Sequence, residues 1–348
     1  AEVKRALRNP LGTKPLAELV SPGQKVAIIS EDQTRPSPVG KVVLPLLEEL
    51  NGLGIPDSAI DIVIGRGTHR QPTSEELLAK LGTEVLERLR VSVHDAHDKD
   101  NLVHLGTTSR GTPAWLNRIV AEADLKIGIG TINPHYFAGY SGGAKIVLPG
   151  VSGRDTIRAN HVLIRDPNTA QGKMDGNPIW EDMLEVARLA KLTLLVNFVL
   201  TGNMGVYGVF IGEVEATQKA AVDAFKEVYG VPIAKAAAIT ITSAYPLEVN
   251  LIQSGKAILS ADSVTRPGGT IIISTSCPDG AGPMYYETLK ELPTPEQVIQ
   301  WIEEGQASPT GGPMASRIRG MLQTKKLVVV TKGLGAEELA DMEMDWAA

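Results

Sequence analysis

The sequence predicts an α/β fold in two domains, each a mostly parallel sheet with crossover helices, with a cleft between them. Three observations predict it. Short β-branched runs alternate with helical stretches along the chain, the pattern of parallel strands joined by helices. Motifs rich in glycine, histidine and charge follow directly on three of those runs, and α/β sheets bind ligands at the carboxyl ends of their strands. After Pro232 the alternation starts afresh, which puts a larger domain at residues 1–231 and a smaller one at 232–348.

Taken in order, KVAIIS (Lys25 to Ser30) reads as a buried strand followed by EDQTRPSP, and AIDIVIG (Ala59 to Gly65) as a second followed by RGTHR. ADLKIGIG (Ala123 to Gly130) leads into TINPHYFAGYSGGAK, and LTLLVNFVL (Leu192 to Leu200) is a fourth strand. The Ala-, Lys- and Glu-rich stretch between Gly212 and Gly230 reads as a helix closing the first domain. In the second, AAAITITSA, TIIISTSC and KLVVVTKG read as strands, with PTPEQVIQWIEEG as a helix among them.

At 348 residues the chain is long for one core, which favours two domains. Its 43% hydrophobic and 21% charged residues are those of an ordinary globular protein. No apolar run reaches the roughly 18 residues needed to span a bilayer, so no membrane is expected. A net charge of −6 argues against a nucleic-acid partner, and anionic ligands must be met by a few placed cations. The single cysteine, Cys277, excludes an intrachain disulfide and a zinc site of paired thiolates, and points to the reducing cytoplasm. The chain begins at Ala1 and stops at Trp346-Ala347-Ala348, soon after the strand-like LVVVT and helix-like EELADMEM, and is expected to be trimmed at both ends.

The densest chemistry lies in PHYFAGYSGGAKIVLPG, Pro134 to Gly150, with His161 beyond it. Gly139, Gly142 and Gly143 surround Ser141, and glycine lets backbone N–H groups approach a phosphate. It is not a P-loop, because Ala144 precedes Lys145 and Ile146 follows it. Gly128-Ile129-Gly130 hints at a dinucleotide fingerprint but lacks the third glycine. All six histidines, His69, His94, His97, His104, His135 and His161, fall in the first domain. In HDAHDKDNLVHLG, a polar and acidic segment, His94, His97 and His104 read as structural or surface residues of a solvated strand and turn, a metal site there being the weaker alternative. His69 has capping of the helix near Pro72-Thr73-Ser74 as its plainer role, and Phe137 has packing beneath the loop. Asp32 and Arg35 pair an acid that can orient a histidine with a guanidinium that can hold a carboxylate, against the plainer alternative of a surface ion pair.

Together, EDQTRPSP (Glu31 to Pro38), GRGTHRQPTSEE (Gly65 to Glu76) and the Pro134–Gly150 stretch with His161 resemble the lactate racemase family, over nearly the whole chain and in the expected order. The resemblance implies a racemase or epimerase of a 2-hydroxy acid that uses a nickel-pincer nucleotide (pyridinium-3-thioamide-5-thiocarboxylic acid mononucleotide) installed by cofactor-synthesis enzymes. It implies that His69 and His135 flank the substrate as acid and base while hydride passes to the pyridinium and returns to the opposite face. Histidine, with an ordinary pKa near 6.5, serves both proton directions near neutrality. Lys145 matches the covalent attachment point and His161 the nickel ligand, imidazole filling the square-planar corner that a pincer leaves open. Phe137 is placed to stack on the pyridinium, with Tyr140, Ser141, Gly142 and Gly143 around the cofactor. Asp32 and Arg35 fall in the family's active site, and Gln253 and Lys256 match substrate-binding residues of a second domain that closes over the substrate. Two departures, Ile252 before Gln253 and no tryptophan near GGPMASRIRG, leave the acid open between lactate and related 2-hydroxy acids such as malate, a hydroxyglutarate, an aldonate or a longer aliphatic acid. The alternatives are an NAD-dependent 2-hydroxy acid dehydrogenase and a non-catalytic sugar-acid or metal-binding protein of the same fold.

Overall fold

The computed structural model describes residues 2–35, 37–308 and 311–347. They divide into two compact units. One comprises the chain up to Pro134, Ala138–Asn160 and Gly172–Gly230, and the other His135–Phe137, His161–Gln171 and the chain from Val231 onward.

In the first unit, β1 (Val26–Glu31), α1 (Val39–Gly52), β2 (Ile60–Gly65), α2 (Ser74–Leu81) and β3 (Arg90–Val93) alternate as strand and crossover helix. A hairpin of β4 (Leu102–Thr107) and β5 (Pro113–Asn117) precedes β6 (Leu125–Thr131). Then come α3 (Arg154–His161), α4 (Pro178–Leu189), β7 (Leu194–Leu200), β8 (Val206–Gly212) and α5 (Val214–Tyr229). The sheet runs β8-β7-β6-β1-β2-β3 and is parallel except for β8, an antiparallel edge strand. Strand β8 is not among the strands read from the alternation, and VYGVFIG is largely exposed over its first half.

Every residue of β1, β6 and β7 is buried, as expected where a parallel sheet is covered on both faces. On one face, Ile28, Ile62, Ile64, Ile127 and Ile129 meet the stripe Val39, Val42, Val43, Leu46, Leu47 and Leu50 of α1. That spacing of three and four residues is what makes α1 an amphipathic helix. Helix α2 begins at a capping box in which Thr73 and Glu76 exchange side-chain and backbone hydrogen bonds.

The second unit holds β9 (Ala237–Ser243), α6 (Leu251–Asp262), β10 (Thr265–Ser274), α7 (Pro295–Glu303), α8 (Gly312–Leu322), β11 (Lys326–Val330), α9 (Ala336–Asp341) and β12 (Asp345–Ala347). Its sheet, β9-β10-β11-β12, is wholly parallel. Ile271, Ile273, Leu327 and Val329 bury one face, whereas Ile239 and Ile241 on the edge strand remain exposed. Among the described residues, no helix is long and apolar enough to cross a membrane.

Candidate active site

In the first unit the motif residues gather at the carboxyl ends of β1, β2 and β6. Glu31, which the sequence reading put in the loop, is the last residue of β1, because its carboxylate accepts the Thr131 N–H (2.9 Å) and hydroxyl (2.8 Å) at the end of β6. The next residue, Asp32, is 3% exposed and lies 2.7 Å from His69 Nδ1 through Oδ2. Its Oδ1 accepts the Thr34 N–H at 3.0 Å and the Thr34 hydroxyl at 2.5 Å. An ionised carboxylate only accepts, so the contact puts the His69 proton on Nδ1 and leaves Nε2 as the working atom. The His69 side chain is 30% exposed, so that nitrogen remains within reach of a small ligand. Thr73 caps α2, so His69 is not needed as a cap; its N–H bonds the Arg66 carbonyl and its own carbonyl takes the Arg66 guanidinium.

Burial alone would raise the Asp32 pKa, but the His69 hydrogen bond and charge, the Thr34 bond and Arg35 outweigh it and bring it from 3.8 to about 2. A carboxyl depressed in the folded state stabilises above its unfolded pKa, and that stability is lost as pH falls through the folded value. Asp32 is therefore expected to add about 2 kcal/mol of stability above pH 4 that disappears toward pH 2. Urea unfolding of wild type and Asp32→Asn across this range measures it. A stability difference independent of pH would contradict the ionised Asp32 carboxylate.

Arg35 bonds the Thr34 hydroxyl (2.9 Å) and carbonyl (3.2 Å) and makes no ion pair among the described residues, so the surface ion-pair alternative does not hold. Lys80, in the last turn of α2, donates to the Arg35 carbonyl (3.0 Å) and Ser37 Oγ (2.9 Å). Sequence reasoning missed it, because a lysine ending a helix reads as solvated.

The glycine-rich loop lies against the sheet face opposite α1. Gly130 stands between Glu31 and Asn197, and a Cβ there would come within 3.1 Å of Gly142 Cα, so the loop backbone fills the notch that Gly130 leaves. Gly143, at φ +57°, donates its N–H to Asn197 Oδ1 (3.1 Å), and a Cβ on it would collide with the Gln218 side chain. Ser141 joins the two arms of the loop, accepting the Asn133 N–H (2.9 Å) and donating to the Thr131 carbonyl (2.7 Å). In this structure Ser141, Gly142 and Gly143 are buried, and Gly143 gives its N–H to the Asn197 side chain. The packed loop sets the 3-10 turn Gly143–Ile146, which carries a half-buried Lys145. Gly128 is a second notch, its missing Cβ lying 2.8 Å from Ile146. Gly128 and Gly130 thus lie inside β6, making room for the loop. They do not form a strand-to-helix turn around a pyrophosphate, which removes the sequence basis of the dinucleotide reading. Tyr140 is buried and edge-on to Phe225 at 6.1 Å, on the wall of an open cavity of about 390 Å³ with Lys173, Lys219 and Asp223.

In the second unit His135, Phe137 and His161 come together. The Phe137 ring is edge-on to both imidazoles, 4.4 Å from His135 and 4.9 Å from His161, and all three residues are buried. His161 ends α3, just after Asn160, which Asp182 (2.8 Å) and the Ile179 carbonyl (3.1 Å) hold in the first unit. Arg317, a further residue the sequence did not single out, donates to the Thr169 hydroxyl (2.6 Å) and carbonyl, and its burial lowers its pKa. Lys256 bonds Gln253 Oε1 at 2.6 Å on α6, whose N-terminus Asn250 caps. Ile252 packs beside Gly282, where an added Cβ would lie 2.8 Å from its Cδ1, so an apolar side chain suits this position.

His94 departs from the solvated reading of its segment. It is 1% exposed, with Nε2 2.9 Å from the Ser152 carbonyl, and burial lowers its pKa to about 4 despite that bond. His97 and His104 are exposed, His104 lying 4.8 Å from the Trp115 ring. Among the described residues no three His, Cys, Asp or Glu side chains group to hold a metal.

Two family models match the chain, the lactate racemase N-terminal domain over residues 1–172 and the lactate racemase C-terminal domain over 232–348. A lactate racemase of Thermoanaerobacterium thermosaccharolyticum is 35% identical over 98% of this chain and 82% of its own length. One from Lactiplantibacillus plantarum is 36% identical over 85% of this chain and 71% of its own. The solved lactate racemase apoprotein from T. thermosaccharolyticum superposes with a TM-score of 0.88 at 34% identity, covering 99% of this chain and 84% of that one. A crystal structure of a Thermotoga maritima protein, at 20% identity, shares the fold with a TM-score of 0.75 over 99% of this chain and 90% of its own.

Proposed function

Because this chain belongs to the lactate racemase family, we propose that it is a nickel-dependent isomerase interconverting the enantiomers of a 2-hydroxy acid, lactate or a near relative. The observation that carries the reading is the 2.7 Å contact between buried Asp32 and His69, which fixes the tautomer and ring plane of a partly exposed imidazole at a strand end.

The donor set fits a nickel-pincer nucleotide. His161, buried and edge-on to Phe137, has one imidazole to add to the donors that such a cofactor would carry. Lys145 would supply the amine for covalent attachment, and Phe137 a ring face. When bound, the cofactor supplies the acceptor and donor of hydride. The protein's part is proton transfer and orientation. Asp32 keeps the His69 proton on Nδ1, so Nε2 takes the hydroxyl proton of one enantiomer and returns it when the reaction reverses. His135 does the same for the other enantiomer, since racemisation needs a proton acceptor for each hand. Arg35, Gln253 and Lys256 are assigned to the substrate carboxylate, which in a chain of net charge −6 is met by individually placed cations.

The test uses holoenzyme matured with the cofactor-synthesis enzymes and a panel of 2-hydroxy acids deuterated at C2. The inverted product is expected to keep most of its deuterium in ordinary water, with no added NAD. Wash-out of the label during turnover would rule out hydride transfer in favour of proton abstraction at C2. Intact mass spectrometry should place a cofactor adduct on the Lys145 peptide, absent in Lys145→Ala.

A further inference from the structure

Lys80 belongs to neither motif, yet it joins them. The loop after β1 carries Arg35 and Ser37. Lys80 reaches this loop from the far end of α2, donating to the Arg35 carbonyl at 3.0 Å and to Ser37 Oγ at 2.9 Å. The near end of α2 is fixed by the Thr73–Glu76 capping box just beyond His69, with Arg70 paired to Glu76. One short helix thus spans from the His69 turn to the Arg35 loop. Burial lowers the Lys80 pKa, while the charges of Glu31 and Asp32 favour its ammonium form.

We propose that Lys80 is a positioning residue that holds the Arg35 loop in register with the Asp32–His69 pair, through its bonds to the Arg35 carbonyl and the Ser37 hydroxyl. It acts through Arg35 and touches no substrate. The proposal rests on the assignment of Arg35 to the substrate carboxylate, and its test separates the two.

In cofactor-free protein, Lys80→Met should speed amide hydrogen exchange of the 32–41 segment by about tenfold or more, while the β1 amides keep their protection and report that the protein is folded. In holoenzyme, the same variant should raise KM for the hydroxy acid by about tenfold, with kcat changed by less than about twofold. Added to Arg35→Ala, it should raise KM by less than about twofold more, because the two residues act as one unit. Unchanged exchange over 32–41, or effects of the two substitutions that simply multiply, would overturn the positioning role. If Lys80→Met does not fold, Lys80→Arg decides instead: with charge and donors kept, exchange and KM within about threefold of wild type support the role, and values beyond that overturn it. If Arg35→Ala leaves KM unchanged, the carboxylate assignment fails, and the exchange measurement still decides the role of Lys80.

Discussion

Alanine at either His69 or His135 is expected to slow enantiomer interconversion by about 10²–10⁴-fold, the usual worth of a positioned general acid or base. Both substitutions should slow both directions, because every turnover begins with one hand of the substrate and ends with the other. The kinetics of His161→Ala should differ in kind, with loss of bound nickel rather than loss of proton transfer in a metal-loaded protein. Asp32→Asn keeps the size of the side chain but offers His69 a neutral amide, so the ring loses the partner that sets its tautomer. Its activity should fall less than that of His69→Ala. Steady-state kinetics in both directions with nickel content measured on each preparation separate these outcomes. A His135→Ala enzyme with wild-type rates would refute the two-histidine assignment while leaving the family membership intact.

Gly143→Ala is expected to do comparable damage through backbone strain and packing. Its φ of +57° is one that L residues rarely adopt, and the new Cβ would drive into the side chain of Gln218. Gln218 cannot easily yield, because it is 1% exposed and its Oε1 accepts the Trp180 indole N–H at 3.0 Å. Backbone strain and overpacking together should cost about 2–4 kcal/mol of stability. The 3-10 turn that begins at Gly143 carries Lys145, so attachment of the cofactor should fail along with stability. Thermal unfolding and the mass of the Lys145 peptide test both effects. Gly143→Ala combined with Gln218→Ala should recover only part of the loss, since it removes the collision but keeps the strained φ and strips Trp180 of its acceptor. Full recovery would show that the φ requirement is unimportant.

Much of this protein was legible in its chain. The alternation of β-branched runs with amphipathic helices determined the α/β class, because strand and helix periodicities are written in local sequence. The stripe from Val39 to Leu50 on α1 is an example. The motifs at the ends of β1, β2 and β6 were equally visible, since a parallel sheet delivers the residues after its strands to one edge. Asp32 could be suspected of orienting a histidine, but its partner, 37 positions away, was chosen by the pairing of β1 with β2.

What only the tertiary structure decided was the use of residues whose local pattern is ambiguous. Gly128 and Gly130 looked like part of a nucleotide fingerprint until the loop from Gly142 to Ile146 was seen to fill the space their missing side chains leave. His94 sits in a polar segment yet is buried on the Ser152 carbonyl, and Lys80 ends an ordinary helix yet holds the loop of another strand. The physical reason is the same in each case. Local sequence encodes dihedral preference and the periodicity of burial, whereas a hydrogen-bond partner or a void filled by distant backbone depends on chain brought close by packing, and sequence alone carries no measure of that distance.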